Sequence, residues 1–251
     1  MPELRLTVVG PGPAYTRRRG RTSSCYLVEG GGTTVVLDIG QGSFAALGAH
    51  LEPRSIDAIF VSHLHPDHHI DLVPMRHYLK YGDTTEGSVP LTAPAGIRER
   101  YDVLNGTPGF LDELPGPELS VGIYRVGALT IEAGRVTHTD DSYGFRVSMD
   151  AGPGLVYSGD CGRTEDLAPL VRPGDTLLSE AAWGAMASVE AAWHLTAEQA
   201  AGVARERGAS RLILTHVLDE GRPRASLTIA RRAFDGPADL AAPGMEVVVG
   251  R

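Results

Sequence analysis

Apolar and polar positions along the chain alternate in short runs punctuated by turn residues. Residues 4–9 are apolar and are ended by Gly10-Pro11-Gly12-Pro13, the pattern of a strand that runs into a loop. Residues 25–29 and 34–38 flank Gly30-Gly31-Gly32 and read as a hairpin. Residues 57–62 (DAIFVS) predict a buried strand that leads straight into His63. Three further strands are predicted over 129–137, 143–149 and 155–158, and a short one over 176–179. Another, over 211–215, runs into His216, and 246–249 is the last. Helices are predicted over 41–51, 196–208 and 223–234. The second is the best marked, because Thr196-Ala197-Glu198-Gln199 is a capping box and Gly208 a stop signal. No intervening stretch is long enough to divide the chain. The most loop-like, residues 112–118, is short, and a single domain over 1–251 is expected.

Composition narrows the class. A hydrophobic fraction of 42% and a charged fraction of 22% supply enough apolar surface to offset chain entropy, so intrinsic disorder is excluded. The 31 Gly and 17 Pro follow no triplet period, which excludes collagen and implies many turns. A net charge of -8 argues against a non-specific nucleic-acid binder, whose affinity comes from cationic side chains. Cys25 and Cys161 are too few for a disulfide scaffold, and neither lies in a Cys-x-x-Cys pair. The start, Met1-Pro2-Glu3, lacks a cationic region followed by an apolar stretch, so no secretory leader is expected. No run approaches the ~18–20 apolar residues of a membrane span. The expected location is the cytoplasm.

The chemistry is concentrated in Ser62-His63-Leu64-His65-Pro66-Asp67-His68-His69-Ile70-Asp71. Four histidines and two aspartates fall within nine residues, directly after an apolar strand. Imidazole and carboxylate suit Zn²⁺ and its first-row neighbours. So many titratable groups packed together would repel without a cation to share. A tight turn after the strand can present His63 and His65 to one ion, and Asp67 and His68, at the start of the next helix, can face a second. Further ligands must come from elsewhere, and His138, Asp160 and His216 each follow an apolar strand. Repeated placement at strand ends is what a site on one rim of a sheet requires.

His63-x-His65-x-Asp67-His68, then His138, Asp160 within Ser158-Gly159-Asp160, and His216 resemble the signature of the metallo-β-lactamase superfamily. The resemblance implies an α/β four-layer αββα sandwich, two mixed β-sheets with helices on the outer faces, and a dinuclear site at one edge. It implies that His63, His65 and His138 bind one ion, that Asp67, His68 and His216 bind the other, and that Asp160 bridges both. Two divalent ions are expected, zinc first, with manganese or iron as the other candidates. Cys161 beside the bridging position reads as a packed neighbour rather than a ligand.

Leu177-Leu178-Ser179-Glu180-Ala181-Ala182 and Trp193-His194-Leu195-Thr196 resemble two segments of ribonuclease Z and its phosphodiesterase relatives. That resemblance implies that Glu180 and His194 pair beside the metals and protonate the leaving oxygen. Ribonuclease Z carries a long tRNA-gripping arm between the third-His and bridging-Asp positions, and here only 21 residues separate His138 from Asp160. The expected activity is a phosphodiesterase on a small, cyclic nucleotide, acting through a bridging hydroxide that Asp67 also orients. The alternatives are an endoribonuclease on short RNA and hydrolysis of a thioester, lactone or β-lactam. The expected partner is a small-molecule phosphodiester, with no stable nucleic-acid partner and no membrane, and the resemblance suggests a homodimer. Arg17, Arg18, Arg19 and Arg21 read as a solvated loop, with a phosphate grip as the competing reading. Asp71 is a candidate for orienting a ligand histidine.

Overall fold

A computed structural model describes residues 3–82, 87–186 and 193–251; Met1-Pro2, part of the leader expectation, lie outside them. The strands are β1 (Arg5–Gly10), β2 (Cys25–Gly30), β3 (Thr33–Leu37), β4 (Ala58–Phe60), β5 (Leu91–Thr92), β6 (Gly122–Val126) and β7 (Leu129–Arg135). They continue with β8 (Tyr143–Met149), β9 (Leu155–Tyr157), β10 (Thr176–Glu180), β11 (Arg211–Thr215), β12 (Ala238–Leu240) and β13 (Met245–Val248). The helices are α1 (Ser43–Leu47), α2 (Pro66–His69), α3 (Leu72–Tyr81), α4 (Ile97–Asn105), α5 (Thr164–Leu167), α6 (Ala197–Glu206) and α7 (Pro223–Ala233).

The strands form two mixed sheets, ordered β13-β1-β2-β3-β4-β5 and β12-β11-β10-β9-β8-β7-β6. Period-2 alternation sends each strand's side chains to two different cores. Leu6 and Val8 of β1, Tyr26 and Val28 of β2, and Phe60 of β4 meet Phe145, Tyr157 and Ile213 of the second sheet. Their sequence neighbours turn outward. Leu27, Val36 and Ile59 pack under Leu47 of α1, Met75 of α3 and Tyr101 of α4. Val156, Leu177 and Leu212 pack under Leu167 of α5, Ala200 and Val203 of α6, and Ala230 of α7. Three cores separate four layers, as the resemblance implies.

Several elements depart from the pattern reading. The helix predicted over 41–51 is confined to α1, and turns and a short 3₁₀ segment follow Gly48. The apolar pattern marks neither α3 nor α4. Pro74 obscures α3, although within the first turn its missing N–H has no intrahelical partner to lose. Helix α4 buries only Ile97 and Tyr101, too narrow a stripe to stand out. Strands β5 and β12, of two and three residues, are too short to show alternation. Among the described residues no helix is long and apolar enough to cross a membrane.

One polar pair is buried in the second sheet away from the His/Asp rim. Arg146 of β8 grips the carboxylate of Asp175, just before β10, through Nε at 2.8 Å and Nη2 at 2.9 Å, and Asp175 is fully buried. The same carboxylate accepts the backbone N–H groups of Gly154 (2.6 Å) and Arg172 (3.0 Å). Asp175→Ala is expected to destabilise the fold by about 3 kcal/mol, because it takes the bidentate partner from a buried guanidinium and leaves it the Glu132 carboxylate, at 3.5 Å. Urea unfolding checks this, and an unchanged midpoint would contradict it.

Candidate metal centre

Histidines and carboxylates from four strand ends meet on one rim. His63 follows β4, His138 follows β7, Asp160 follows β9 and His216 follows β11. His65 is the N-cap of α2, and Asp67 and His68 lie in that helix, which starts at Pro66. A first cluster comprises His63 Nε2, His65 Nδ1 and His138 Nε2, with both Nε2 atoms 3.0 Å from His65 Nδ1. Asp160 Oδ2 lies 3.8 Å from His63 Nε2 and 3.6 Å from His138 Nε2. A second cluster joins Asp67 Oδ2, His68 Nε2 and His216 Nε2, at separations of 3.1, 3.3 and 3.5 Å. Asp160 Oδ1 is 3.4 Å from His68 Nε2 and 3.6 Å from His216 Nε2. One carboxylate therefore faces both clusters, one oxygen to each.

Hydrogen bonds at the far side of three of the rings decide which of their nitrogens carry lone pairs. Asp38, fully buried after β3, accepts from Ser62 N (2.6 Å), Ser62 Oγ (2.8 Å), His68 Nδ1 (2.7 Å) and Tyr157 Oη (2.7 Å). His68 thus carries its proton on Nδ1 and turns the Nε2 lone pair to the centre. Because Ser62 Oγ gives its hydrogen to Asp38, it accepts from His63 Nδ1 at 3.1 Å, which frees His63 Nε2. His138 Nδ1 donates to the Trp193 carbonyl at 2.7 Å, which frees its Nε2. Outer partners of this kind fix tautomer and ring orientation in metal sites.

The electrostatics agree with a cation site. Burial holds His63 well below the ordinary imidazole range and lowers His65 and His138, so all three are neutral donors. Burial opposes charge on Asp67 too, yet the hydrogen bond from His216 and the nearby His68 bring it down to about 2. Asp160 is likewise held well below the carboxylate range, against its burial, by His216, His68 and His63. His68 moves the other way, well above its usual value, because Asp160 and Asp38 flank it and outweigh burial. A cation at its Nε2 takes that proton's place. Asp160 Oδ1 is buried without a hydrogen-bond partner. For ligand distances of ~2.0–2.1 Å a tetrahedral ion needs neighbouring donors roughly 3.3 Å apart, and these clusters are spaced accordingly. The residues fit divalent ions of the zinc type.

All seven sequence-expected ligands come together. Glu180 and His194 do so beside them. Glu180 ends β10 fully buried, and its Oε1 accepts from His194 Nδ1 (3.0 Å), Cys161 N (3.1 Å) and Leu195 N (3.1 Å). Its Oε2 accepts from Ala182 N at 2.7 Å. His194 lies 3.9 Å from Asp160 and its ring is 4.7 Å from that of His138. Burial pulls the His194 imidazole down, but the hydrogen bond and charge of Glu180, with Asp160 beyond, raise it above its usual value. The capping box forms as read, with Thr196 Oγ1 accepting from Gln199 N at 3.2 Å and Gln199 Oε1 from Thr196 N at 2.8 Å. Cys161 is a buried neighbour whose Sγ donates to the Arg163 carbonyl.

Asp71 has a different role from the one expected. Its carboxylate accepts from Phe44 N at 2.8 Å in the first turn of α1, and among the described residues it bonds no ligand side chain. Arg18 pairs with Asp219 at 2.8 Å, and Arg21 lines a small cavity that His216 also lines. Among the described residues none of the four arginines of that loop bonds a ligand side chain. Asp38 is the functional residue that sequence reasoning missed. Asp38→Asn replaces one of the two accepting oxygens with an N–H₂, which must face either the Ser62 N–H or the three donors that share the other oxygen, and it is expected to weaken metal affinity roughly 10–100-fold. Competition with a coloured chelator measures it.

Comparisons with known proteins bear on this arrangement. Residues 33–217 match the Beta-lactamase superfamily domain. An uncharacterized protein of Mycobacterium leprae, ML1173, is 28% identical over 96% of this chain and 87% of its own length. A ribonuclease Z of Haloarcula marismortui is 27% identical over 97% of this chain and 96% of its own. The crystal structure of the metallo-β-lactamase fold protein YhfI from Bacillus subtilis superposes with a TM-score of 0.86 at 24% identity, covering 97% of this chain and 99% of that one. That last likeness speaks for the fold.

Proposed function

The chain belongs to the β-lactamase superfamily as a metallo-hydrolase, and on that premise we propose that it is a phosphodiesterase acting on small, cyclic nucleotides with two divalent ions, zinc foremost. The observation that carries this reading is the Glu180–His194 pair beside an all-imidazole and carboxylate ligand set. The two clusters would hold divalent ions, which when bound would lower the pKa of a water and neutralise charge on phosphoryl oxygens. Hydrolysis breaks one P–O ester bond, and the departing oxygen needs a proton. His194 Nδ1 is committed to Glu180, so Nε2–H is the donor left for that oxygen. Asp67 Oδ2, 3.1 Å from His216 Nε2, would ligate beside it, and its carboxylate would orient the attacking water. Asp160 keeps the clusters in register.

Substrate size follows from the segment between His138 and Asp160. It is filled by β8, β9 and their turns, with no arm to grip tRNA. Together with the net charge of -8 this favours a small phosphodiester over a stable nucleic-acid partner. A cytoplasmic site of action and homodimeric assembly complete the proposal. The relative named ribonuclease Z keeps short RNA as the second substrate to assay. The test is a panel at defined metal loading, checked by elemental analysis: a cyclic nucleotide, a short RNA, a thioester and nitrocefin. Turnover of the cyclic nucleotide that chelator abolishes and zinc restores is expected. Turnover of the thioester or nitrocefin alone would remove the reading.

A further inference from the structure

Beside the metal centre an open cleft of about 660 Å³ runs along the segment after β7, with His138 and Trp193 in its walls. Trp193 leaves 57% of its surface exposed. Burying so large an apolar side chain is ordinarily favourable, so an exposed indole at an active rim is an observation to explain. Of the large apolar side chains that stand exposed among the described residues, Trp193 alone belongs to a residue that hydrogen-bonds a candidate ligand, through its carbonyl to His138 Nδ1. The next two residues are held as well, His194 and Leu195 both donating to Glu180 Oε1. The indole therefore stands on a segment tied down at three successive residues, by the Trp193 carbonyl, the His194 side chain and the Leu195 N–H, which lowers the ordering lost on binding.

The rest of the wall carries the hydrogen-bonding side chains Arg135, Thr137, Thr139, Asp140 and Asp166, with the largely buried Val136 among them. A single flat aromatic face on a polar wall suits a planar group with hydrogen-bonding edges, and it suits a lipid tail or an aliphatic chain poorly. His138 touches both ends of the arrangement: its Nδ1 bonds Trp193, and its Nε2 lies 3.6 Å from Asp160. A ligand with a phosphoryl group at the clusters and a planar group one sugar away can lie across it.

Resting on the phosphodiesterase reading, we infer that Trp193 is the stacking platform for the nucleobase of the substrate, and that it makes the enzyme selective for nucleotides over phosphodiesters without a base. Base–aromatic stacking fixes the size of the effect. Trp193→Ala should raise KM for a cyclic nucleotide roughly 5- to 100-fold, with kcat changed less than about threefold. Trp193→Phe should recover most of the loss. KM for glycerophosphoethanolamine, a phosphodiester without a base, should not move.

A second readout does not need turnover. In the zinc-loaded full chain a nucleoside monophosphate should quench tryptophan fluorescence saturably, and Trp193→Phe should remove most of that quenching. An unchanged nucleotide KM in Trp193→Ala, or undiminished quenching in Trp193→Phe, overturns the inference. If the wild type hydrolyses no phosphodiester while the quenching persists and depends on Trp193, the proposed reaction fails and the platform stands.

Discussion

Asp160→Ala is expected to lower turnover by on the order of 10⁴ or more and to reduce bound metal below two equivalents. Among the described residues no other side chain places one oxygen against each cluster. Its removal leaves His63 and His138 on one side, and His68 and His216 on the other, without a shared anion. Asp160→Asn is expected to fail almost as fully, since an amide N–H₂ cannot ligate and would face imidazole lone pairs. Elemental analysis and steady-state kinetics on the same preparation check this, with circular dichroism to confirm folding. Two equivalents of metal and turnover within about tenfold of wild type would remove the bridging role.

His194→Ala is expected to behave differently. Its kcat should fall roughly 10²–10⁴-fold on a nucleotide, while metal content stays that of the wild type. Nδ1 is bound to Glu180 rather than to either cluster, so the variant loses a proton donor and no ligand. Glu180→Gln keeps a hydrogen-bond acceptor but loses the charge, and a smaller loss is expected. The discriminating substrate is bis(p-nitrophenyl) phosphate, whose leaving group departs as a stable anion. On it the His194→Ala defect should largely vanish. An equal defect on both substrates would point to a positional role instead of proton transfer.

The ligand set was legible because metal chemistry restricts it to a few residue types and because those residues terminate apolar strands. His63, His138, Asp160 and His216 could be found by that rule alone. Asp38 satisfies the same rule and was passed over, because its role depends on register. Leu37 pairs with Phe60 across parallel β3 and β4, which sets Asp38 opposite Val61 with its carboxylate in reach of Ser62. Nothing local in the chain announces that pairing. Its backbone offers a faint signal, since Asp38 adopts φ 59°, as His216 adopts φ 54°, in a region that non-glycine residues seldom enter. Asp71 was misread for the opposite reason. It stands within the motif, yet the fold turns it toward α1, a helix one layer outward. Helices α3 and α4 escaped because a proline and a run of charges masked the few positions that reach the core.

Neither sheet owns a whole centre. His63, His65, Asp67 and His68 ride on one, and His138, Asp160 and His216 on the other, so the gap between the half-sites is gauged by the filling of the sandwich. Tyr26 against Tyr157, at 4.7 Å between ring centroids, and Phe60 against Phe145, at 5.8 Å, are the spacers of that caliper. An ion preferring longer bonds than zinc must spread four interlocked rings or accept a poorer fit. Should the clusters hold divalent ions, discrimination among them is expected to depend in part on aromatic side chains that never touch one.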